Sequence, residues 1–299
     1  MSAPVSPSGD TACGKRGVLH DEHALLGARI GTWLKGAAPL SYPMPPQAGD
    51  TALGDLEAGC VLTDVSGITM LYMSGEAATS FGPAVFGGRV LGVGECAFEA
   101  SLVGDGCVAS IPLVARTGDT EYLAMDACGR GDTLSAWLSF VSGVEQGGFR
   151  PYEGLETEDV SERLVPLVLW GSAAKSVLGD YVSGDDALPD NGRVTSPMLD
   201  GRIATITLRT DLHDRPCYLV LVPPAFARVL WRSLLSFESV RPLGVEDLSK
   251  LVTSALPWAE SLGSSDRIEL SADLLLEHGL VRDTGDFVGA RGLRGASAS

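Results

Sequence analysis

Residues 121–141 read EYLAMDACGRGDTLSAWLSFV, a strand pattern that runs straight into a helix pattern. Glu121–Ala127 is short, apolar and closed off by Gly and Asp, as strands are. Asp132 or Thr133 is placed to cap the helix that follows, in which Leu134, Trp137, Leu138 and Val141 fall at i, i+3, i+4 and i+7 on one face. Upstream, Ile68–Met73 (ITMLYM) reads as another strand. Downstream the strategy repeats: Glu162–Trp170, Arg202–Leu208 and Tyr218–Val222 read as strands. Pro223–Pro224 then opens an apolar helix through Val229, Leu230 and Leu234, with proline fixing its first turn. Strands mixed with helices, without a regular βαβ alternation, predict an α+β fold rather than a doubly wound sheet.

Between the two blocks lies Gln146–Glu162 (QGGFRPYEGLETEDVSE), where Gly, Pro and clustered carboxylates cannot support a core. This joint predicts a first α+β lobe over 18–150 and a second over 151–293. Residues 1–17, rich in Ser, Pro and Gly, and residues 294–299 read as tails. A second acidic loop, Gly184–Gly192, punctuates the later block, and no repeat of about 20–50 residues is evident.

The 299 residues carry 22 Lys+Arg against 38 Asp+Glu, a formal net charge of −16, and 45% of them are hydrophobic. That apolar fraction excludes wholesale disorder. The acid excess excludes nucleic acid and an anionic membrane surface as main partners, since both demand clustered Lys/Arg. The opening residues lack the apolar core of a secretory signal, and no apolar run approaches the ~18 residues of a membrane helix. Six dispersed cysteines without a C-x-x-C pair read as reduced thiols, so a cytoplasmic protein is expected.

Two motifs are set aside. Gly104-x-Gly106-x-x-Ala109 matches a loose dinucleotide fingerprint, but Ile111-Pro112-Leu113-Val114 follows where a helix N-terminus is required. His20-Asp-Glu-His23 lacks the i, i+4 spacing of a zincin helix and reads as a solvated loop beside the tail; no metal site is expected.

The chain as a whole resembles the folate-binding portion of the glycine cleavage T protein family, the aminomethyltransferases. Cys60-Val-Leu-Thr-Asp64-Val65-Ser66, then Gly75-Glu-Ala77-Ala-Thr-Ser-Phe81, is similar to its "Asp-Val-Ser-His … Gly-x-Asp-Ala-x-x-Phe-Leu" run. Thr32-Trp33 before Leu40-Ser41-Tyr42-Pro43, Asp126-Ala127 before Trp137, and Pro242-Leu243-Gly244 before Asp286-Phe287-Val288-Gly289 follow the family's order. The resemblance implies a two-lobed α+β body, without the family's C-terminal barrel, which would follow Gly289. It implies tetrahydrofolate as cofactor and a small-molecule substrate, with aminomethyl or methyl transfer as the reaction. Two alternatives stand beside it. One is a catalytically silent folate-fold binding module or partner subunit; the other is a folate-dependent demethylase of a small amine or ether.

The departures from the family fall at its acids. Its "Gly-Gly-x-x-Asp-Asp" strand becomes Asp105-Gly106-Cys107-Val108-Ala109-Ser110, so Ser110 takes one aspartate position and Ala109 or Ile111 the other. A serine hydroxyl cannot stabilise developing positive charge as a carboxylate does. Its pterin-clamping glutamate, after a glycine-rich loop that is here Asp211–Pro216, aligns with Leu219. The resemblance thus implies Ser110 and Asp126 as the catalytic pair, with Asp105 a further acid flanking the same strands. It implies Tyr42, Ser66, Phe98 and Arg209 as the cofactor-binding set.

Overall fold

The structure, a computed structural model, describes residues 16–43, 52–145, 147–184, 186–263 and 267–296. Most of the expected tails, residues 1–15 and 297–299, lies outside these.

The chain opens with helix α1 (His20–Leu25), the hairpin β1 (Arg29–Trp33) and β2 (Gly36–Ser41), and α2 (Ala52–Ala58). A first run follows: β3 (Cys60–Asp64), β4 (Thr69–Ser74), α3 (Ala78–Val85), β5 (Glu95–Phe98), the short pair β6 (Ser101–Leu102) and β7 (Val108–Ser110), then β8 (Leu113–Gly118), β9 (Glu121–Asp126) and α4 (Gly131–Ser142). The second run matches it element for element. It comprises β10 (Glu156–Asp159), β11 (Val165–Trp170), α5 (Ala174–Gly179), β12 (Arg193–Thr195), the short pair β13 (Met198–Leu199) and β14 (Ile203–Ala204), then β15 (Ile206–Leu212), β16 (Arg215–Val222) and α6 (Pro224–Leu234). Strand β17 (Val240–Pro242) and helices α7 (Val245–Ala255), α8 (Ala259–Leu262), α9 (Ala272–Glu277) and α10 (Ala290–Ala296) complete the chain as described.

Eleven of these strands form one sheet in the order β10-β4-β9-β8-β5-β12-β15-β16-β11-β3-β17. Apart from the added β17, which runs parallel to β3, the order is symmetric about its middle and every pairing is antiparallel. The two runs meet there through one residue pair, Arg193 of β12 and Glu95 of β5. Each run also lends its first strand away: β3 pairs with β11 of the second run, and β10 with β4 of the first.

Period-2 alternation sorts each central strand between two faces. On β16, Tyr218, Val220 and Val222 pack under α5 and α6, while Cys217 and Leu221 face the other way. On β9, Tyr122 and Ala124 pack under α3 and α4, while Leu123 and Met125 turn to the same far side. That far side is one apolar core shared by both halves and covered by α7 and α8. Burial on both faces explains why these strands read as near-continuous apolar runs.

Several local expectations shift. Neither Asp132 nor Thr133 caps α4; it starts at Gly131, where a Cβ would come within 1.9 Å of Thr69 Oγ1. Its buried stripe is Leu134, Leu138 and Val141, with Trp137 half-buried and stacked on the exposed Phe140. The expected strand Arg202–Leu208 is broken into β14 and β15, because the Thr205 N–H turns aside to Pro197 O. The acidic joint carries an exposed strand, β10, whose backbone bonds need no core. Gly106 does not cradle a phosphate. It adopts φ +89° in a turn, and a Cβ there would meet Leu293 N at 2.3 Å, so the loop lies directly on the α10 backbone.

Candidate functional site

A cavity of about 330 Å³ lies on the shared face, where the two halves of the sheet meet. Its floor is made by Phe98 of β5, Leu113 of β8, Met125 of β9, Leu208, Thr210 and Leu212 of β15, Cys217 and Leu219 of β16, and Trp170 of β11. Helix α7 roofs it with Leu248, Ser249, Val252 and Thr253, and Trp258, Trp33 and Leu34 close the sides. Trp170 Nε1 donates to Leu212 O at 3.2 Å, and Phe98 meets Trp258 edge-on at 6.0 Å, so the aromatic walls are fixed. Of the lining residues, Ala127, Ser249, Thr253 and Gly263 are exposed and mark the mouth.

No Asp, Glu, Lys, Arg or His is among the described lining residues. Burial pushes the Cys128 and Cys217 thiols up to about 12, so neither is a thiolate at neutral pH. The polar groups left are neutral: the thiols, the indole N–H groups of Trp33 and Trp258, Thr210 half-buried on the floor, and two hydroxyls at the mouth. Of the latter, Ser249 Oγ donates to Val245 O at 2.7 Å. Nothing here can take up a proton at neutral pH or pair a cation with a carboxylate, and no group of metal-ligating side chains occurs among the described residues.

Of the six residues singled out from the sequence, Phe98 lines this cavity. Ser110 and Asp126 come together beneath its rim, both buried, and Ser110 Oγ donates to Asp126 Oδ2. Asp126 is otherwise engaged by the turn into α4, where its Oδ1 accepts from Cys128 N at 3.0 Å and Arg130 N at 3.1 Å. Their neighbours Ile111, Met125, Ala127 and Cys128 line the cavity instead. Arg209 lies between the lining residues Leu208 and Thr210, and alternation turns it to the opposite face. There it forks onto Asp211 at 2.8 and 3.1 Å and lies over the Tyr218 ring. Asp105, at the surface, pairs with Arg267 at 2.8 Å.

Tyr42 and Ser66 meet at a second cluster that the sequence reading missed. His23, expected in a solvated loop, is buried on α1, with Nε2 2.8 Å from Asp64 Oδ2. Asp64 Oδ1 accepts from both the N–H and the hydroxyl of Ser66, at 2.8 and 2.6 Å. With the His23 proton on Nε2, its Nδ1 accepts from the Tyr42 hydroxyl at 2.8 Å. The neighbouring Glu22 is buried too and is forked by Arg232 of α6 at 2.6 and 2.8 Å, which holds its carboxyl below the ordinary value. The cluster fastens α1 across β3 and α6; its signal in the sequence was Leu19, Glu22 and His23 on one helical face. A third buried group, Glu99, is 2% exposed with Oε1 lacking a hydrogen-bond partner among the described residues. Burial pushes it up to about 8, against the smaller opposing pull of Arg282, Arg89 and the Gly88 N–H.

A two-lobed α+β sheet with a cavity at its centre defines the fold of the aminomethyltransferase type. The chain superimposes on the glycine cleavage system aminomethyltransferase T from Bartonella henselae with a TM-score of 0.74 and 19% identity, covering 95% of this chain and 75% of that one. The heterotetrameric sarcosine oxidase from Corynebacterium sp. U-96, in complex with pyrrole 2-carboxylate, gives a TM-score of 0.43 and 17% identity over 74% of this chain and 93% of that one. No protein-family model and no curated relative matches the sequence. At this identity the likeness is one of fold. No helix among the described residues is long and apolar enough to cross a membrane.

Proposed function

We propose that this chain is a small-molecule-binding module on the aminomethyltransferase fold, and that it does not itself transfer one-carbon units to tetrahydrofolate. One observation carries the reading. Leu219, aligned with the resembled family's glutamate, and Ile111, which with Ala109 is one of two residues that can stand for its second aspartate, both line the cavity, and no lining residue supplies a charge. Asp126, the carboxylate that the resemblance implied as catalytic, has both oxygens engaged by Ser110 and the α4 turn.

Tetrahydrofolate does not suit this donor set. Its pterin N–H groups would face Leu219, each unpaired donor costing about 1–3 kcal/mol. A cationic centre developing on it would find no carboxylate, an interaction that typically contributes about 10²–10³-fold in rate. The same absence weighs against the folate-dependent demethylase. What supports a retained binding role is the cavity itself, walled by fixed aromatic side chains rather than filled.

The test is a methylene-transfer assay on the purified protein beside a calorimetric titration with tetrahydrofolate. No turnover and no saturable heat are expected. Turnover at a rate ordinary for an aminomethyltransferase overturns the proposal.

A further inference from the structure

We infer that the ligand of the central cavity is an uncharged, predominantly apolar molecule built on an aromatic or fused-ring system. This rests on the binding-module reading above and specifies what is bound. Three observations converge on it.

The first is the lining. Four aromatic side chains, Trp33, Phe98, Trp170 and Trp258, border the cavity, and the aliphatic remainder comes from both halves of the sheet. Flat rings gain by edge and face contact with such walls beyond the area they bury. The second is charge. A buried charge needs a counter-charge or a full set of hydrogen bonds, and a cation here would find ring faces but no carboxylate to complete its site. This floor offers one hydroxyl, Thr210, and two neutral thiols, with the remaining hydroxyls at the mouth. The net charge of −16 adds a field that disfavours anions on approach. The third is size. About 330 Å³ sits at the low end of small-molecule sites, enough for a compact ring system and too little for a long conjugate.

The experiment uses two fluorophores that differ by one charged group, N-phenyl-1-naphthylamine and its sulfonated analogue 8-anilino-1-naphthalenesulfonate. Each is titrated into the full-length protein and followed by emission and by calorimetry. The neutral dye is expected to bind one per chain with a negative heat-capacity change, and the sulfonate at least about tenfold more weakly. Leu219→Glu, which puts a carboxylate on the cavity floor, is expected to weaken the neutral dye by about tenfold or more. Val252→Trp, which fills the cavity from the roof, should abolish binding; it keeps the test open if Leu219→Glu fails to fold. Equal affinity for the two dyes overturns the inference. So does displacement of the neutral dye by tetramethylammonium, or binding unchanged in a folded Val252→Trp. If neither dye binds while tetrahydrofolate is also excluded, the ligand class is wrong and the binding-module reading loses its support, although absence of transfer still stands. If tetrahydrofolate is turned over, the functional proposal fails whatever the dyes do.

Discussion

Replacing Glu99 with glutamine should make the protein more stable, and increasingly so as pH rises. The carboxyl is 2% exposed, and burial moves it from 4.5 to about 8 in the folded chain. Between those values the folded protein keeps a proton that the unfolded chain has released. The unfolded state therefore binds fewer protons, and stability falls as pH climbs through the window. At about 1.4 kcal/mol per pH unit, the full window sets a ceiling of about 5 kcal/mol, reached near pH 8. Glutamine cannot ionise, so Glu99→Gln removes this slope. Urea denaturation of parent and variant at about pH 5 and about pH 8 measures the difference directly. The two should lie within about 1 kcal/mol of each other at the lower pH, with the variant ahead by about 3 kcal/mol or more at the higher. A difference that does not change with pH would show that Glu99 is ionised in the folded state and that its surroundings have been misread.

Ser110→Asp, which restores an acid at a family position, sets a second carboxylate against buried Asp126 rather than into the cavity; denaturant midpoints should show a loss of about 3 kcal/mol. A neutral outcome would mean that Asp126 points elsewhere. Gly292→Ala puts a Cβ within 2.1 Å of the Asp105 carbonyl carbon, so the Tm should fall by an amount equivalent to about 2 kcal/mol, whereas Gly179→Ala, which meets nothing within 4 Å and has no positive φ, should leave it unchanged. Tyr42→Phe leaves His23 Nδ1 without its donor and should cost about 1–3 kcal/mol in a urea melt, with no effect on dye binding in the central cavity.

The sequence carried the elements whose signals are local. Pro224 at the first turn of α6 and the Leu134, Leu138, Val141 stripe of α4 were readable because proline geometry and helical periodicity act within a few residues. The exchange of β3 and β10 was not, since it depends on partners far along the chain. Nor was the element-for-element correspondence of the two runs, which repeats structure without repeating residues. At the site, Leu219, Ser110 and either Ala109 or Ile111 were marked by where the family's acids are missing; Leu219 and Ile111 line the cavity, and Ser110 and Ala109 do not. Arg209 was assigned by position along the chain, although the parity of Leu208, Thr210 and Leu212 already placed it on the other face. His23 was misread because its segment lacks the i, i+4 spacing of a metal-binding helix and adjoins the polar tail, while the arginines that bury Glu22 lie on α6, more than two hundred residues away.

The outermost strand of the first half shows what protects this sheet from its own edge. While the chain is being made, β4 waits with an open row of backbone donors and acceptors until β10 has been synthesised, and an open edge of that kind invites pairing with another chain. The strand that finally covers it is Glu156-Thr157-Glu158-Asp159, three carboxylates in four residues. Once docked, it presents a new edge that a second copy cannot approach without stacking like charges against it. The acidic joint thus lines the exposed edge with carboxylates, of which Glu158 is paired with Arg163.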